Sequence, residues 1–235
     1  MFVDMHSHVI WGVDDGAEQK AETFRMLKEA AKDGIGKIVC TPHVTPGVYE
    51  FPEEAFLAHF REAEAFIRRE GLDLKLYTGA EVLYMDNTPR MLREGRVMTL
   101  AGTKQVLVEF SPTDTRERIC DALQKVAGCG YIPVIAHMER YPAIRTTDQV
   151  REMKNRFRAM VQINARSLTR KAPLLRRGFF NGIFREGLVD YVATDAHAAE
   201  GRGTCMTAGM KELREKYGDD TANRILENAD RLTGG

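Results

Sequence analysis

Short apolar runs rich in β-branched residues alternate along this chain with longer segments whose apolar positions recur at helical spacing. That alternation predicts parallel strands, each followed by a helix, in an α/β architecture. Seven strands are expected at residues 2–5, 37–41, 74–78, 105–110, 132–136, 160–163 and 190–194. Helices are expected at 17–33, 52–70, 88–94, 115–128, 147–157 and 173–186, with two more, 202–217 and 221–228, in the C-terminal tail. Gly34, Gly71, Gly95, Gly130 and Gly187 stand where those helices should stop. No repeat, low-complexity tract or linker interrupts the pattern, so residues 1–235 are expected to form a single domain.

The ends of the predicted strands carry the chemistry. Strand one runs into His6 and His8, strand two into His43, strand three into Glu81, and strand four ends in Glu109. Strand five runs into His137, strand six into Asn164, and strand seven into Asp195 and His197. In parallel sheets the C-terminal edge is where loops converge and sites assemble. A barrel of seven or eight parallel strands fits this better than an open sheet, whose outer strand ends would lie far from the centre.

Imidazoles and carboxylates together suit first-row divalent ions such as Mn, Fe or Zn, and eight such ligands exceed the needs of one ion. Two or three metals are implied. His6-x-His8 and Asp195-x-His197 each place side chains i and i+2 on one face of an extended chain, where a pair can grip one ion. Glu81 and Glu109 sit among apolar residues, where a bare charge costs several kcal/mol unless a cation compensates it. Taken singly, any of these residues is as well explained by a structural hydrogen bond; jointly they point to metal. Asp14-Asp15-Gly16, after strand one, offers either a further ligand or an N-cap for the following helix.

Arg140 follows His137 by three residues and Arg202 follows His197 by five. Guanidinium forks match phosphate oxygens, so these two suggest an anionic, phosphorylated substrate; the plain alternative is surface pairing with Glu139 or Glu200. The aromatic helix with Phe179, Phe180 and Phe184 reads as core rather than as a membrane-facing surface, and the charged run 62–70 as a solvated face.

The 34 Lys+Arg balance 34 Asp+Glu, which removes the broad positive field that non-specific nucleic-acid or membrane binding requires. The polar start and the lack of any apolar run near the ~20 residues of a bilayer span make a cytoplasmic protein without membrane insertion the expectation. Cys40, Cys120, Cys129 and Cys205 form no Cys-x-x-Cys pair and are expected to be reduced. None of them is followed by Arg at the sixth position, so the phosphate loop of thiol phosphatases is absent: the residues there are Pro46, Val126, Ile135 and Lys211.

Against this background the sequence resembles the polymerase-and-histidinol-phosphatase (PHP) superfamily, through its N-terminal His-x-His, middle His and late Asp-x-His. It is similar in particular to the manganese-dependent bacterial protein-tyrosine phosphatases encoded with capsule and exopolysaccharide genes. The segments carrying the resemblance span nearly the whole chain: Asp4-Met5-His6-Ser7-His8, Val13-Asp14-Asp15-Gly16, Thr41-Pro42-His43, Gly79-Ala80-Glu81, Val108-Glu109-Phe110, the stretch from Pro133 to Tyr141, and Thr194-Asp195-Ala196-His197. The resemblance implies a distorted TIM-like (β/α)7 barrel with three metals, most often Mn. Carried over, His6, His8, Glu81 and Asp195 hold one ion, Glu81, Glu109 and His137 a second, and Asp15, His43 and His197 a third. Arg140 and Arg202 match the phosphate-binding arginines. The implied substrate is phosphotyrosine on a bacterial tyrosine autokinase controlling polysaccharide synthesis.

The chemistry expected is in-line attack on phosphorus by water activated at the metals, with no covalent phosphoenzyme. Tyrosine's pKa of about 10 makes it a fair leaving group, so proton donation by a residue such as His43 or Asp195 is not demanded. The rival readings are a small-molecule phosphomonoesterase such as a histidinol phosphatase, a PHP nuclease module, and a non-catalytic metal-containing scaffold of the kinase complex.

Overall fold

The computed structural model describes residues 1–48, 50–170 and 176–234. Every strand pairing in it is parallel. β1 (Phe2–Ser7) pairs with β2 (Ile35–Cys40), which pairs with β4 (Lys75–Thr78). β3 (His43–Val44) pairs with β5 (Glu81–Leu83), and the ladder continues through β6 (Gln105–Glu109), β7 (Ile132–Ile135), β8 (Met160–Asn164) and β9 (Tyr191–Ala193). Most positions on both faces of these strands are buried, with β4 the main exception, as expected where helices cover a parallel sheet. On β6, Leu107 joins the inner cluster with Val39 and Val134, while Val106 and Val108 belong to the outer core with Ile119, Leu123 and Val126 of a covering helix.

The expected strands two and three are each followed, across a break, by a short strand not among the seven expected, β3 after β2 and β5 after β4. At the first break Pro42 has no N–H for a ladder, and its carbonyl accepts the Glu81 N–H at 3.0 Å. At the second, a Cβ on Gly79 would stand 2.8 Å from Val39 Cγ1. Only glycine lets the chain pass there. The bends re-aim His43 and Glu81, whose Cα atoms pair directly across β3 and β5. Buried Leu100, from the 3-10 turn Leu100–Gly102, shares the inner cluster with Val39 and Leu107 where the ladder is not continued from β4 to β6.

β9 returns to β1 and curls the sheet into a distorted TIM-like barrel. The seam consists of a Ser7–Ala196 bridge, Asp195 N–H to His6 O at 2.9 Å, and His8 N–H to Ala196 O at 2.8 Å. Buried Asp4 completes it by accepting both the backbone N–H of Thr194, at 2.9 Å, and its hydroxyl. Burial pushes the Asp4 carboxyl up to about 6 against the opposing pull of those Thr194 bonds.

Helices α1 (Lys20–Lys32), α2 (Glu53–Glu70), α3 (Thr88–Arg93), α4 (Arg116–Gly128), α5 (Thr147–Phe157), α6 (Ala165–Thr169), α7 (Arg177–Arg185), α8 (Met206–Tyr217) and α9 (Asp219–Leu232) follow the strands. α5 opens with a capping box between Thr146 and Gln149, and α2 ends at Gly71 with φ 63°. α1 starts three residues later than expected because Ala17 belongs to the preceding loop, donating to His8 O at 3.2 Å and accepting from Gly12 N–H at 2.8 Å. α8 likewise starts at Met206 rather than 202, where the Asp33 carboxylate, from the end of α1, accepts the N–H groups of Met206 and Thr207. α6 was not anticipated, α9 is longer than expected, and residues 173–175 of the expected 173–186 helix lie outside the described residues. In α7, Phe184 is fully buried and stacks on Tyr217 at 4.7 Å. No described helix is long and apolar enough to cross a membrane.

The seam supplies a stability test. Thr194→Val removes the hydroxyl that donates to Asp4 and accepts from Ala196 N–H, leaving buried polar atoms unpaired. A loss of about 1–3 kcal/mol is expected in urea denaturation; an unchanged midpoint would show that the seam is held elsewhere.

Candidate metal centre

Nine strand-end and loop residues meet above the C-terminal rim of the barrel. Fully buried Glu81 is the hub. Its Oε2 lies 3.1 Å from His6 Nε2, 3.2 Å from His8 Nε2 and 3.2 Å from His43 Nδ1, and its Oε1 lies 2.8 Å from His137 Nε2. Glu109 closes the near side, 3.5 Å from His137 Nε2 and 3.6 Å from His43 Nδ1. On the far side Asp195 Oδ1 stands 3.6 Å from Nε2 of both His6 and His8. Asp15 Oδ1 lies 3.3 Å from His43 Nε2 and 3.4 Å from His197 Nε2.

Three groups have ligand atoms close enough to share an ion: His6, His8, Glu81 and Asp195; His8, Asp15, His43 and His197; and His43, Glu81 and Glu109. The first is the set implied by the resemblance. The second contains the implied third set and adds His8. The third shares Glu81 and Glu109 with the implied second set but brings in His43, while His137 stays within 2.8 and 3.5 Å of those same two carboxylates.

The adjacent acids separate cleanly. Asp14 faces inward and accepts from His8 Nδ1 at 2.7 Å, Gly16 N–H at 2.9 Å and His43 N–H at 3.0 Å. It is saturated as an orienting group, whereas exposed Asp15 turns its oxygens to the two histidines. Neither caps α1, whose N-cap is Gln19 without a side-chain bond.

The rings are oriented from behind. His8 Nδ1 donates to Asp14 Oδ2, and His197 Nδ1 faces its neighbour carbonyl, Asp195 O, at 3.0 Å. In each case the remaining nitrogen, Nε2, turns into the cluster, the arrangement that outer hydrogen bonds enforce on metal-binding imidazoles. Buried Glu81 Oε2 has no aligned hydrogen-bond donor although three imidazole nitrogens surround it. Imidazole nitrogens that converge on a buried carboxylate suit a divalent cation, which takes the place of their protons.

Arg140 and Arg202 border this cluster, both about half exposed. Arg140 Nη2 donates to Asp195 Oδ2 at 2.5 Å; Arg202 Nη2 donates to His197 Nε2 at 2.9 Å and lies 3.9 Å from Asp195 Oδ1. The two guanidiniums therefore flank opposite oxygens of one site carboxylate, and neither is spent on Glu139 or Glu200.

Residues 2–233 match the model of the family described as capsular polysaccharide synthesis, CpsB/CapC. This chain belongs to the CpsB/CapC family. Among its relatives, the tyrosine-protein phosphatase CpsB of Streptococcus agalactiae serotype V is 28% identical over 239 residues, covering 97% of this chain and 96% of that protein. The tyrosine-protein phosphatase YwqE of Bacillus subtilis is 29% identical over 231 residues, covering 98% and 91%. A crystal structure from the pair YwqE of Bacillus subtilis and CpsB of Streptococcus pneumoniae, described as unique metal-dependent tyrosine phosphatases, matches with a TM-score of 0.89 at 26% identity, covering 99% of this chain and 94% of that one. Histidinol phosphate phosphatase from Lactococcus lactis shares the fold, with a TM-score of 0.58 at 14% identity and coverage of 97% and 93%.

Within this CpsB/CapC site, charge is divided unevenly. Burial opposes a charged His8, but Asp14 and Glu81 outweigh it and push its ring up to about 10; burial likewise opposes a charged His6, which Glu81 and Asp195 override upward. Burial works against ionised Glu81, yet His6, His137 and His8 hold it well below the usual carboxylate range. Glu109 is pushed up to about 7 by burial and by the neighbouring Glu81 charge. His197 is driven down to about 4 by burial and the His8 charge, and burial also lowers His43. Asp195, despite its burial, is held low by His6 and Arg140. These shifts disfavour the acid forms of both His43 and Asp195.

Residues beyond the expected set also serve the site. Buried Gln162 accepts from His137 N–H at 2.6 Å, and Asn164 Nδ2 donates to Asp195 Oδ2 at 2.9 Å. Tyr141 places its hydroxyl 3.4 Å from His137 Nδ1 and accepts Phe110 N–H at 3.1 Å. The signal for Gln162 was its i, i+2 spacing to Asn164 in an apolar strand; Tyr141 closes the Pro133–Tyr141 stretch that carries the resemblance, without a role following from it.

Because His8, pushed up to about 10, and in part Glu109, pushed up to about 7, hold protons near neutral pH that ligation must displace, metal affinity is expected to rise with pH. Titrating metal-free protein with Mn2+ in buffers of different ionisation enthalpy should show proton release at pH 7, with affinity rising about tenfold per pH unit for each proton displaced. A pH-independent affinity between pH 6 and 8 would contradict this distribution of charge.

Proposed function

We infer that this protein is a metal-dependent phosphatase that hydrolyses phosphotyrosine in a protein substrate. The observation that carries the reading is the pairing of a buried histidine–carboxylate cluster, with Glu81 Oε2 at its centre ringed by three imidazole nitrogens but without an aligned hydrogen-bond donor, and two half-exposed guanidiniums on opposite oxygens of Asp195. The first part suits divalent cations and the second suits phosphoryl oxygens. The names of the relatives supply the substrate class.

His6, His8, Glu81 and Asp195 would hold one cation, Glu81, Glu109 and His137 a second, and Asp15, His43 and His197 a third, with Mn the favoured ion and Fe or Zn accepted by the same donors. When bound, such cations lower the pKa of water toward neutrality and neutralise charge on the phosphoryl group. The remaining work falls to the chain itself. Arg140 and Arg202 exchange their contacts on Asp195 and His197 for phosphoryl oxygens, which orients the phosphorus above the cluster and stabilises the charge that develops there. Since the acid forms of His43 and Asp195 are disfavoured and tyrosine leaves with a pKa of about 10, the reading requires no acid from either. A thiol nucleophile is not used: burial pushes the Cys40, Cys120 and Cys205 thiols up, and no cysteine carries the phosphate-binding loop.

The proposed partner is the tyrosine-phosphorylated segment of a bacterial autokinase governing capsule or exopolysaccharide synthesis, met in the cytoplasm. The family description supports the pathway; the partner follows from the resemblance. The chain is proposed to act as a single phosphatase domain.

Arg140→Ala and Glu109→Gln are each expected to lower phosphate release from a phosphotyrosyl peptide about 100-fold or more, with circular dichroism unchanged. Near-normal turnover in both would remove these residues from the assigned roles. Parallel assays should show faster hydrolysis of the peptide than of histidinol phosphate. The reverse order would favour a small-molecule phosphomonoesterase, and peptide binding by Mn-loaded protein without hydrolysis would favour a scaffold.

A further inference from the structure

Gln162 lies in the middle of β8, fully buried. Its Oε1 accepts two hydrogen bonds, from the His137 backbone N–H at 2.6 Å and from His6 Nδ1 at 3.2 Å. Its Nε2 donates to Asn164 Oδ1 at 2.8 Å, and Asn164 Nδ2 donates in turn to Asp195 Oδ2 at 2.9 Å.

The polarity of this chain follows from one obligate donor. A backbone N–H can only donate, so the Gln162 atom facing His137 must be oxygen. The amide nitrogen must then face Asn164, which must answer with oxygen, and its own nitrogen is left to face the Asp195 carboxylate. The same Gln162 oxygen forces His6 to carry its proton on Nδ1, which leaves the Nε2 lone pair turned toward Glu81 Oε2 at 3.1 Å. Two of the residues reached by the chain hold strained backbones: His137 has φ 29° and Asp195 φ 52°, values uncommon outside glycine that persist only where surroundings enforce them. The His137 N–H bond to Gln162 and the Asp195 N–H bond to His6 O, at 2.9 Å, anchor both.

We propose that Gln162 and Asn164 form a directional amide relay that fixes the His6 tautomer and the carboxylate orientation of Asp195, and so sets the affinity of the cation held by His6, His8, Glu81 and Asp195. Both are positioning residues; neither is a cation ligand. The proposal rests on the reading of the cluster as a divalent-cation centre.

The test uses Zn2+ as a diamagnetic probe on the full chain. In Zn-loaded wild-type protein, 15N NMR of the imidazoles should show the His6 proton on Nδ1. Calorimetric titration with Zn2+ should show affinity weakened about 10- to 100-fold in Gln162→Leu and Asn164→Ala. Gln162→Glu keeps an acceptor for His6 and His137 but has no donor for Asn164 and adds a charge behind His6; it should keep the His6 proton on Nδ1 and move the affinity away from that of the wild type by more than twofold. A purely structural role would lower the urea midpoint while leaving the Zn2+ affinity of the folded variants unchanged. A His6 proton on Nε2 in the wild type, or affinities within twofold of wild type in both Asn164→Ala and Gln162→Glu, overturns the relay. These readouts decide the matter even if Gln162→Leu fails to fold. Wild-type protein that binds no cation overturns the relay together with the metal centre, whereas weakened variants of a wild type that binds cations yet hydrolyses no phosphotyrosine uphold the relay and sink only the phosphatase reading.

Discussion

A carboxylate with no access to water sits at the centre of this molecule, and the site is organised around the cost of keeping it there. Glu81 is fully buried and has imidazole nitrogens of His6, His8, His43 and His137 within 2.8 to 3.2 Å. Burying a charge costs several kcal/mol unless opposite charge accompanies it. Protons on the imidazoles supply that charge in part, but the rings crowd one another. His8 stacks on His197 at 3.9 Å and lies 4.5 Å from His43, and its positive charge is one reason His197 is driven down to about 4. A set of bases that cannot all be protonated around acids that cannot all be satisfied suits divalent cations, each of which replaces several protons at once.

The fold serves this centre through its irregularities. Broken strands β2/β3 and β4/β5 bring His43 opposite Glu81, and the breaks arise from Pro42, which lacks a donor, and Gly79, which alone fits against Val39. Left-handed backbones at His137 and Asp195 turn two more ligand-type residues inward. Regular strands would alternate their side chains in and out of the barrel and would not converge so tightly. Local strain at these positions is carried by the surrounding hydrogen bonds, as is common where chemistry dictates geometry.

Much of this was legible in the sequence because a parallel barrel writes its site at strand ends. His6, His8, His43, Glu81, Glu109, His137, Asp195 and His197 were recognisable as polar residues ending apolar runs, and the structure gathers them. The pairing partners were not legible. Whether Arg140 and Arg202 face Asp195 or their sequence neighbours depends on loop geometry, and the choice between Asp14 and Asp15 depends on which carboxylate turns back to His8. The roles of Asp4 and Gln162 were not legible because the groups they bind, Thr194 and the His137 backbone, lie on distant segments of the chain. Strand breaks and helix starts slipped for a similar reason: they are set by distant contacts, such as Asp33 capping α8 from the end of α1.

The claim that divalent cations make the burial of Glu81 tolerable is tested most directly by the melting temperature of chelator-stripped protein titrated with Mn2+. Binding at one hundred times the dissociation constant contributes about 2.7 kcal/mol, enough to raise Tm by about 5 °C or more in a chain of this size. The account predicts that rise in the wild type, saturating with Mn2+, and a much smaller rise in Glu81→Gln. A wild-type Tm indifferent to every divalent ion tried would contradict it.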